Sequence, residues 1–365
     1  ASDVYKRQEE NIFEIEIKNA QKQGKKVYIL GAALGARRIA GGLKYRGLEF
    51  DAFIVDSEYY EAETTFLGKN VYCIDEVIGE NCIIICSIAN YPKMNQLKDK
   101  ACVVDEDVLS LSMVASEPFD RKFVMENMDR LDALYDSLQD QKSRQVMQGY
   151  LNQKLTGRFI EMSEVWNQLE YFDGDFYDLE NVNCIVDCGA FIGDSFLAFC
   201  DEYKKRKGMK FEGIAYLLDP DESNQRQIKI NCEMYKNHIK QLQIGAWFEK
   251  SVLSFQSDEN MRTAGKIVES GNIQINVDKI DNIVKENKVD FIKMDIEGSE
   301  LNALRGAANA IRRDHPILAI CVYHKRQDLL EIPAYISELY SEYKFYLRAY
   351  GGPYTNELVL YAIAN

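Results

Sequence analysis

Short apolar runs that end at an acid or a glycine recur along this chain, and between most of them apolar residues fall three or four apart. That is the pattern of strands alternating with amphipathic helices. In the first 110 or so residues, the runs Lys26–Leu30 and 50–55 flank the turn Gly31-Ala-Ala-Leu-Gly35 and a helical stretch carrying Ile39 and Leu43, and Asp56 follows the second run. Further strand candidates at 71–74, 82–87 and 101–104, with a crossing helix over 91–100, complete a small parallel-sheet unit. Residues 119–170 are rich in helix formers, and Phe123, Met128, Leu131, Leu134, Tyr135 and Leu138 make one apolar stripe. This predicts a helical connector in which the polar stretch 139–144 is a solvated turn. Strands at 184–186, 214–218, 240–244, 291–294 and 317–322 then alternate with helices, and two last strands, 343–350 and 357–363, are joined through Gly351-Gly352-Pro353 without one. The expected domains are 1–110, 111–172 and 173–365, the last a mostly parallel sheet closed by a hairpin.

Three of the later strands end in acids. The first runs into Asp187-Cys-Gly-Ala-Phe-Ile-Gly-Asp-Ser195, the second reaches Asp219-Pro-Asp221, and the third carries Asp295 and Glu297 ahead of a helix starting near Ser299. Ligands of an open parallel sheet bind outside the carboxyl ends of its strands, so the three acids are expected to meet in one crevice. Each alone reads equally as a helix cap. The glycine turn lacks the third glycine of a dinucleotide fingerprint, and the acid ahead of it would repel a phosphate. A ligand bearing ammonium and sulfonium groups suits it better, and S-adenosylmethionine bears both. Gly189, Ala190 and Gly193 would then allow close backbone approach, Asp187 and Asp194 would meet the amino-acid moiety, Ser195 is assigned to the same cofactor site, and Asp219 would take the ribose diol. Gly245-Ala246-Trp247 is placed beside adenine, with a core role for Trp247 as the alternative.

Taken together, Asp187-Cys-Gly-Ala-x-x-Gly-Asp-Ser195, Asp219-Pro-Asp221, Phe291-Ile-Lys-Met-Asp-Ile-Glu-Gly-Ser-Glu300 with Leu304-Arg-Gly306, and Val322-Tyr-His324 followed by Asp328-Leu resemble FkbM-type S-adenosylmethionine-dependent methyltransferases. The resemblance spans roughly 165–363. It implies an α/β fold with a class I methyltransferase-like, mostly parallel sheet and a C-terminal β-hairpin, here preceded by a smaller Rossmann-like domain and the helical connector. It also implies O-methylation of a hydroxyl, commonly on a sugar or polyketide-like acceptor. Asp219 departs from the Glu more usual in the family, and a shorter carboxylate still reaches a diol.

Methyl transfer from a sulfonium needs alignment and a proton acceptor. Of the three histidines, His324 follows a strand on the Asp295 edge and is the candidate base; Asp295, Glu297 and His324 are the expected catalytic group. The same trio also fits Mg²⁺, Mn²⁺ or Fe²⁺, which leaves a divalent metal as an alternative. Nine cysteines sit mostly in apolar runs with no Cys-x-x-Cys pair, so neither zinc nor a disulfide framework is indicated, and Cys188 reads as a small buried thiol. A formal charge of -14 with mixed signs throughout argues against nucleic acid as partner. No apolar run is long enough to cross a bilayer, and with a charged start to the chain this points to the cytoplasm. The partner expected is a small-molecule or glycan acceptor, and a homo-oligomer is left open. The rival reading is an NAD-dependent or nucleotide-sugar-binding Rossmann protein of polysaccharide biosynthesis, built on the turn from Gly31 and on Asp56 and lacking methyltransferase activity.

Overall fold

A computed structural model describes residues 12–77, 81–86, 97, 101–103, 119–156, 165–167, 170–172, 176–258, 261–267, 271, 273–351 and 357–364. The chain packs as two compact units, Ala1–Tyr135 with Arg144–Trp166 and Gly351–Asn356, and Asp136–Ser143 with Asn167–Tyr350 and Glu357–Asn365. In the first, β1 (Lys26–Leu30), β2 (Ala52–Val55), β3 (Thr65–Phe66), β4 (Lys69–Cys73), β5 (Cys82–Cys86) and β6 (Ala101–Val103) form a sheet in the order β3-β4-β2-β1-β5-β6. All its pairings are parallel except the short β3–β4 hairpin, and Ile39 and Leu43 of helix Leu34–Tyr45 bury on it as their spacing requires. Of the crossing helix expected over 91–100, only Leu97 lies among the described residues.

The second unit carries β7 (Cys184–Cys188), β8 (Ile214–Leu218), β9 (Ile239–Leu242), β10 (Gly245–Ala246), β11 (Ser251–Asp258), β12 (Met261–Ile267), β13 (Ile273–Asp278), β14 (Phe291–Met294), β15 (Ile317–Cys321), β16 (Lys344–Tyr350) and β17 (Glu357–Ile363). Among the described residues its main sheet runs β16-β17-β15-β14-β7-β8-β9. The five strands from β9 to β15 are parallel, and β17 and β16 add to β15 antiparallel, the hairpin ending the sequence predicts. The central strands are buried along nearly their whole length, which is why they read as largely apolar runs, interrupted only by Asp187 in β7 and Lys293 in β14.

Two features differ from the expectation. The stretch 139–144 is no solvated turn: Asp140 accepts the Ser143 N–H at 2.7 Å at the start of helix Gln141–Thr156, and Arg348 of β16 pairs with Asp140 at 2.6 Å. The Gln139 N–H also donates to Phe345 O. The chain therefore docks on the sheet edge at this point. Second, residues 245–278 form a separate sheet in the order β10-β13-β11-β12, with Phe255, Ile275 and Val277 as its core. Its strand signal is the alternation Ile273-Gln-Ile-Asn-Val277, whose even spacing buries Ile275 and Val277 on one face. No helix among the described residues is long and apolar enough to cross a membrane.

Candidate active site

A cavity of about 1110 Å³ opens at the carboxyl ends of the parallel strands of the second unit. Asp219 and Asp295 line it, each the first residue beyond its strand, β8 and β14. Asp187 does not line it. It stands one residue inside β7, in register with Lys293 of β14, and the two side chains pair at 3.1 Å with 1% and 4% of their surfaces exposed. Ser195 donates to the same carboxylate at 2.5 Å, and Lys293 also donates to Gly189 O at 2.8 Å. Asp187 is thus a positioning residue beneath the glycine turn rather than a contact for an amino-acid moiety. Asp187 and Asp295 between them hold the Lys293 ammonium charged.

The glycine turn is locked to the third acid loop. A Cβ on Gly189, whose φ is +79°, would lie 1.9 Å from the Asp295 carbonyl oxygen. Gly193, at φ +84°, turns under Cys232 instead of facing the cavity, and Ala190 is fully buried. Of Gly189, Ala190 and Gly193, whose backbone was expected to approach a ligand, Gly189 alone lines the cavity; Phe191 lines it as well, with Asp194 and Ser195 at the start of helix Asp194–Lys207 beside them. Gly189→Ala is expected to destabilise the fold by at least about 2 kcal/mol, from left-handed backbone strain of about 1–2 kcal/mol plus the clash. Gly208→Ala, at φ +76° with nothing within 4 Å of the added Cβ, should cost the strain alone. Urea unfolding of the two variants checks the difference; equal losses would refute the contact.

Asp219 is anchored from three sides. Oδ2 accepts the Phe191 N–H at 3.0 Å, and Oδ1 accepts the Asp221 N–H at 2.9 Å and Asn224 Nδ2 at 3.1 Å. A carboxylate offers about four acceptor sites, so about one remains for a ligand hydroxyl. Burial pushes its carboxyl up to about 6 against these bonds. Asp221 caps helix Glu222–Asn231 and stands on the cavity wall beside Asp219. Gly245 and Ala246 line the cavity as expected, whereas Trp247 packs on the core of the small sheet. Phe255, Ile267, Ile273 and Ile275 of that sheet give the cavity an apolar wall the sequence reading did not foresee.

On the other side stand Glu170, Tyr171, Asp295, Tyr323 and Glu357. Tyr171 donates to Asp295 Oδ2 at 3.0 Å and Tyr323 lies 3.4 Å from Oδ1, while Lys293 and His324 hold the Asp295 carboxyl below its usual range against burial. Glu297 lines the cavity as expected. His324 does not. It is 6% exposed, with Glu300 Oε1 3.0 Å from Nδ1 and Asp295 and Glu297 each 3.5 Å from Nε2. Those carboxylates overcome burial and hold the imidazole up to about 10, so at neutral pH it has no lone pair with which to take a proton. The expected role of His324 as general base is therefore corrected. A cavity-lining carboxyl that sequence reasoning missed is Glu357, the first residue of β17, which burial and the Glu170 and Asp295 carboxylates push up to about 7. Its signal was the hairpin, which returns that end of β17 to the active edge. Cys188 is fully buried and its thiol pushed well up by burial, consistent with an inert packing role.

Residues 187–351 match the methyltransferase FkbM domain. Among solved structures, the methyltransferase FkbM from Methylobacillus flagellatus KT aligns with a TM-score of 0.72 at 23% identity, over 99% of this chain and 92% of its own. The human methyltransferase 10 domain containing protein aligns at a TM-score of 0.29 and 12% identity, over 59% of this chain and 81% of its own. No curated protein matches the sequence. The glycine turn and the acids at the ends of β8 and β14 all fall in the segment, residues 187–351, that is similar to the methyltransferase FkbM domain.

Proposed function

We propose that this methyltransferase takes its methyl group from S-adenosylmethionine and delivers it to a hydroxyl oxygen of a sugar or glycan precursor. The observation that carries the reading is the convergence of Asp219, the Gly189 turn and Asp295 on one cavity. Asp219 would receive a ribose hydroxyl on its remaining acceptor site. Gly189 and Phe191 would lie along the donor, with Gly245 and Ala246 beside the base. The carboxylates and the two tyrosine rings on the far side suit a polyhydroxylated acceptor, which offers both hydroxyl donors and apolar C–H faces.

In-line displacement at a sulfonium depends on holding acceptor oxygen, methyl carbon and sulfur aligned away from water. The acceptor proton must leave as the new O–C bond forms. Glu357 is the group suited to receive it, because it faces the cavity and its affinity for a proton lies near neutral pH. Glu357→Gln is expected to lower kcat by about 10²- to 10⁴-fold with donor affinity nearly unchanged. Methyl transfer from labelled donor to a panel of sugars, beside donor titration calorimetry, reads both; an unchanged kcat would remove Glu357 from the reaction.

Calorimetric titration with S-adenosylmethionine, its demethylated product, NAD and nucleotide sugars tests the donor assignment. The expected result is saturable binding of the first two. Binding of NAD or a nucleotide sugar without either would favour the rival Rossmann reading.

A further inference from the structure

Behind the cavity wall, Asp295, Glu300 and His324 bring three ligand atoms within 4.8 Å of one another. Two of these side chains are almost wholly enclosed, Glu300 at 0% exposed and His324 at 6%. Their polar atoms are only partly satisfied by the protein. Glu300 Oε1 accepts the Ile296 N–H at 2.8 Å, but Oε2 has no hydrogen-bond partner, and neither ring nitrogen of His324 has an aligned one although carboxylate oxygens lie 3.0–3.5 Å away. A buried polar atom left unpaired costs about 1–3 kcal/mol, and native interiors hold few of them. An imidazolium among carboxylates would be expected to turn its N–H groups onto them. Here Glu300 Oε1 stands 3.0 Å from Nδ1, an ordinary ion-pair distance, whereas Asp295 and Glu297, each 3.5 Å from Nε2, are too far for straight hydrogen bonds.

Charge leads to the same place. Asp295, Glu297 and Glu300 gather around this imidazole. Lys293 is committed to Asp187 and Gly189, and Lys325 to the Gly298 carbonyl. Three carboxylates thus face one imidazole.

We propose that Asp295, Glu300 and His324 form a binding site for one divalent cation of the kind that accepts imidazole and carboxylate together, such as Mn²⁺ or Zn²⁺, the ion displacing to solvent the imidazole proton that the same carboxylates hold in its absence. The set differs from the trio read in the sequence: Glu300, on the first turn of helix Glu300–Gly306, replaces Glu297, which stays on the cavity wall. Because Asp295 reaches the cavity, the cation would lie at the acceptor side, where it could polarise a hydroxyl. Its binding does not depend on the methyl-transfer reading, and the two can fail separately.

The test uses the full chain, treated with chelator, dialysed, and titrated calorimetrically with Mn²⁺ and with Zn²⁺, with thermal unfolding followed in parallel. One equivalent of either ion per chain and a raised Tm are expected, and Glu300→Gln and Asp295→Asn should each weaken binding at least about tenfold, the scale on which even outer partners of a metal act. Circular dichroism establishes that the variants fold. Should Glu300→Gln fail to do so, Asp295→Asn, on the partly exposed wall, decides alone. Absence of one-to-one binding of both ions, or binding undiminished in a folded Asp295→Asn variant, overturns the site. Titration of the same samples with S-adenosylmethionine reports independently on the donor reading.

Discussion

Asp219→Ala is expected to weaken S-adenosylmethionine binding by about 10- to 100-fold, since one hydrogen bond to a charged group is worth about 1.5–3 kcal/mol and each 1.4 kcal/mol is tenfold. Loss of the acceptor for the Phe191 N–H adds to this, because that bond ties the glycine turn to the end of β8. The same residue gives the affinity a pH dependence. Its carboxyl is raised from 3.8 to about 6, so below about pH 6 it is protonated and offers a hydroxyl ligand a poorer acceptor; donor affinity should fall as pH drops through that value and stay level above it. Folding runs the other way. A carboxyl whose folded value is raised binds a proton more readily folded than unfolded, so its contribution to stability declines as pH rises from about 4 to about 6. Calorimetric titration of the unchanged protein and the variant between pH 5 and 8 measures the effect, and equal affinities throughout would remove Asp219 from the donor site.

The second large effect concerns the pair beneath the turn. Lys293→Met or Asp187→Asn alone is expected to cost about 3–5 kcal/mol, the price of stranding one buried charge, out of a total stability of about 5–15 kcal/mol. Lys293→Met carries a further loss, because Lys293 also donates to Gly189 O. Replacing both partners by apolar residues should recover much of the loss, since no uncompensated charge remains. Urea unfolding of the two single variants and the double variant closes the cycle. Single losses below about 1 kcal/mol would mean that the pair is not what holds the turn.

The location of the site was legible in the sequence because a strand running into an acid is a local pattern. Asp219 and Asp295 each follow their strand directly, and both reach the cavity. Asp187 misled because it sits one residue earlier relative to its strand, within the ladder. There the register with Lys293 sets its direction, and a register between strands about a hundred residues apart is not written in either one. His324 was found at the right strand end, but its burial depends on helix Glu300–Gly306 bringing Glu300 against it. Glu357 begins β17 and carries no motif. Only the antiparallel return of the hairpin brings it to the active edge.

By itself, the sequence determined the alternation of strands and helices, the closing hairpin and the turns that need glycine, because side-chain period and backbone conformation are properties of neighbouring residues. Tertiary structure alone decided which acids face the cavity, which are consumed in buried pairs, and that residues 245–278 fold as a second small sheet forming its apolar wall. The difference lies in solvent. A carboxylate facing water and one enclosed beside a lysine have the same side chain, and only packing from distant segments removes the water that makes their chemistry alike.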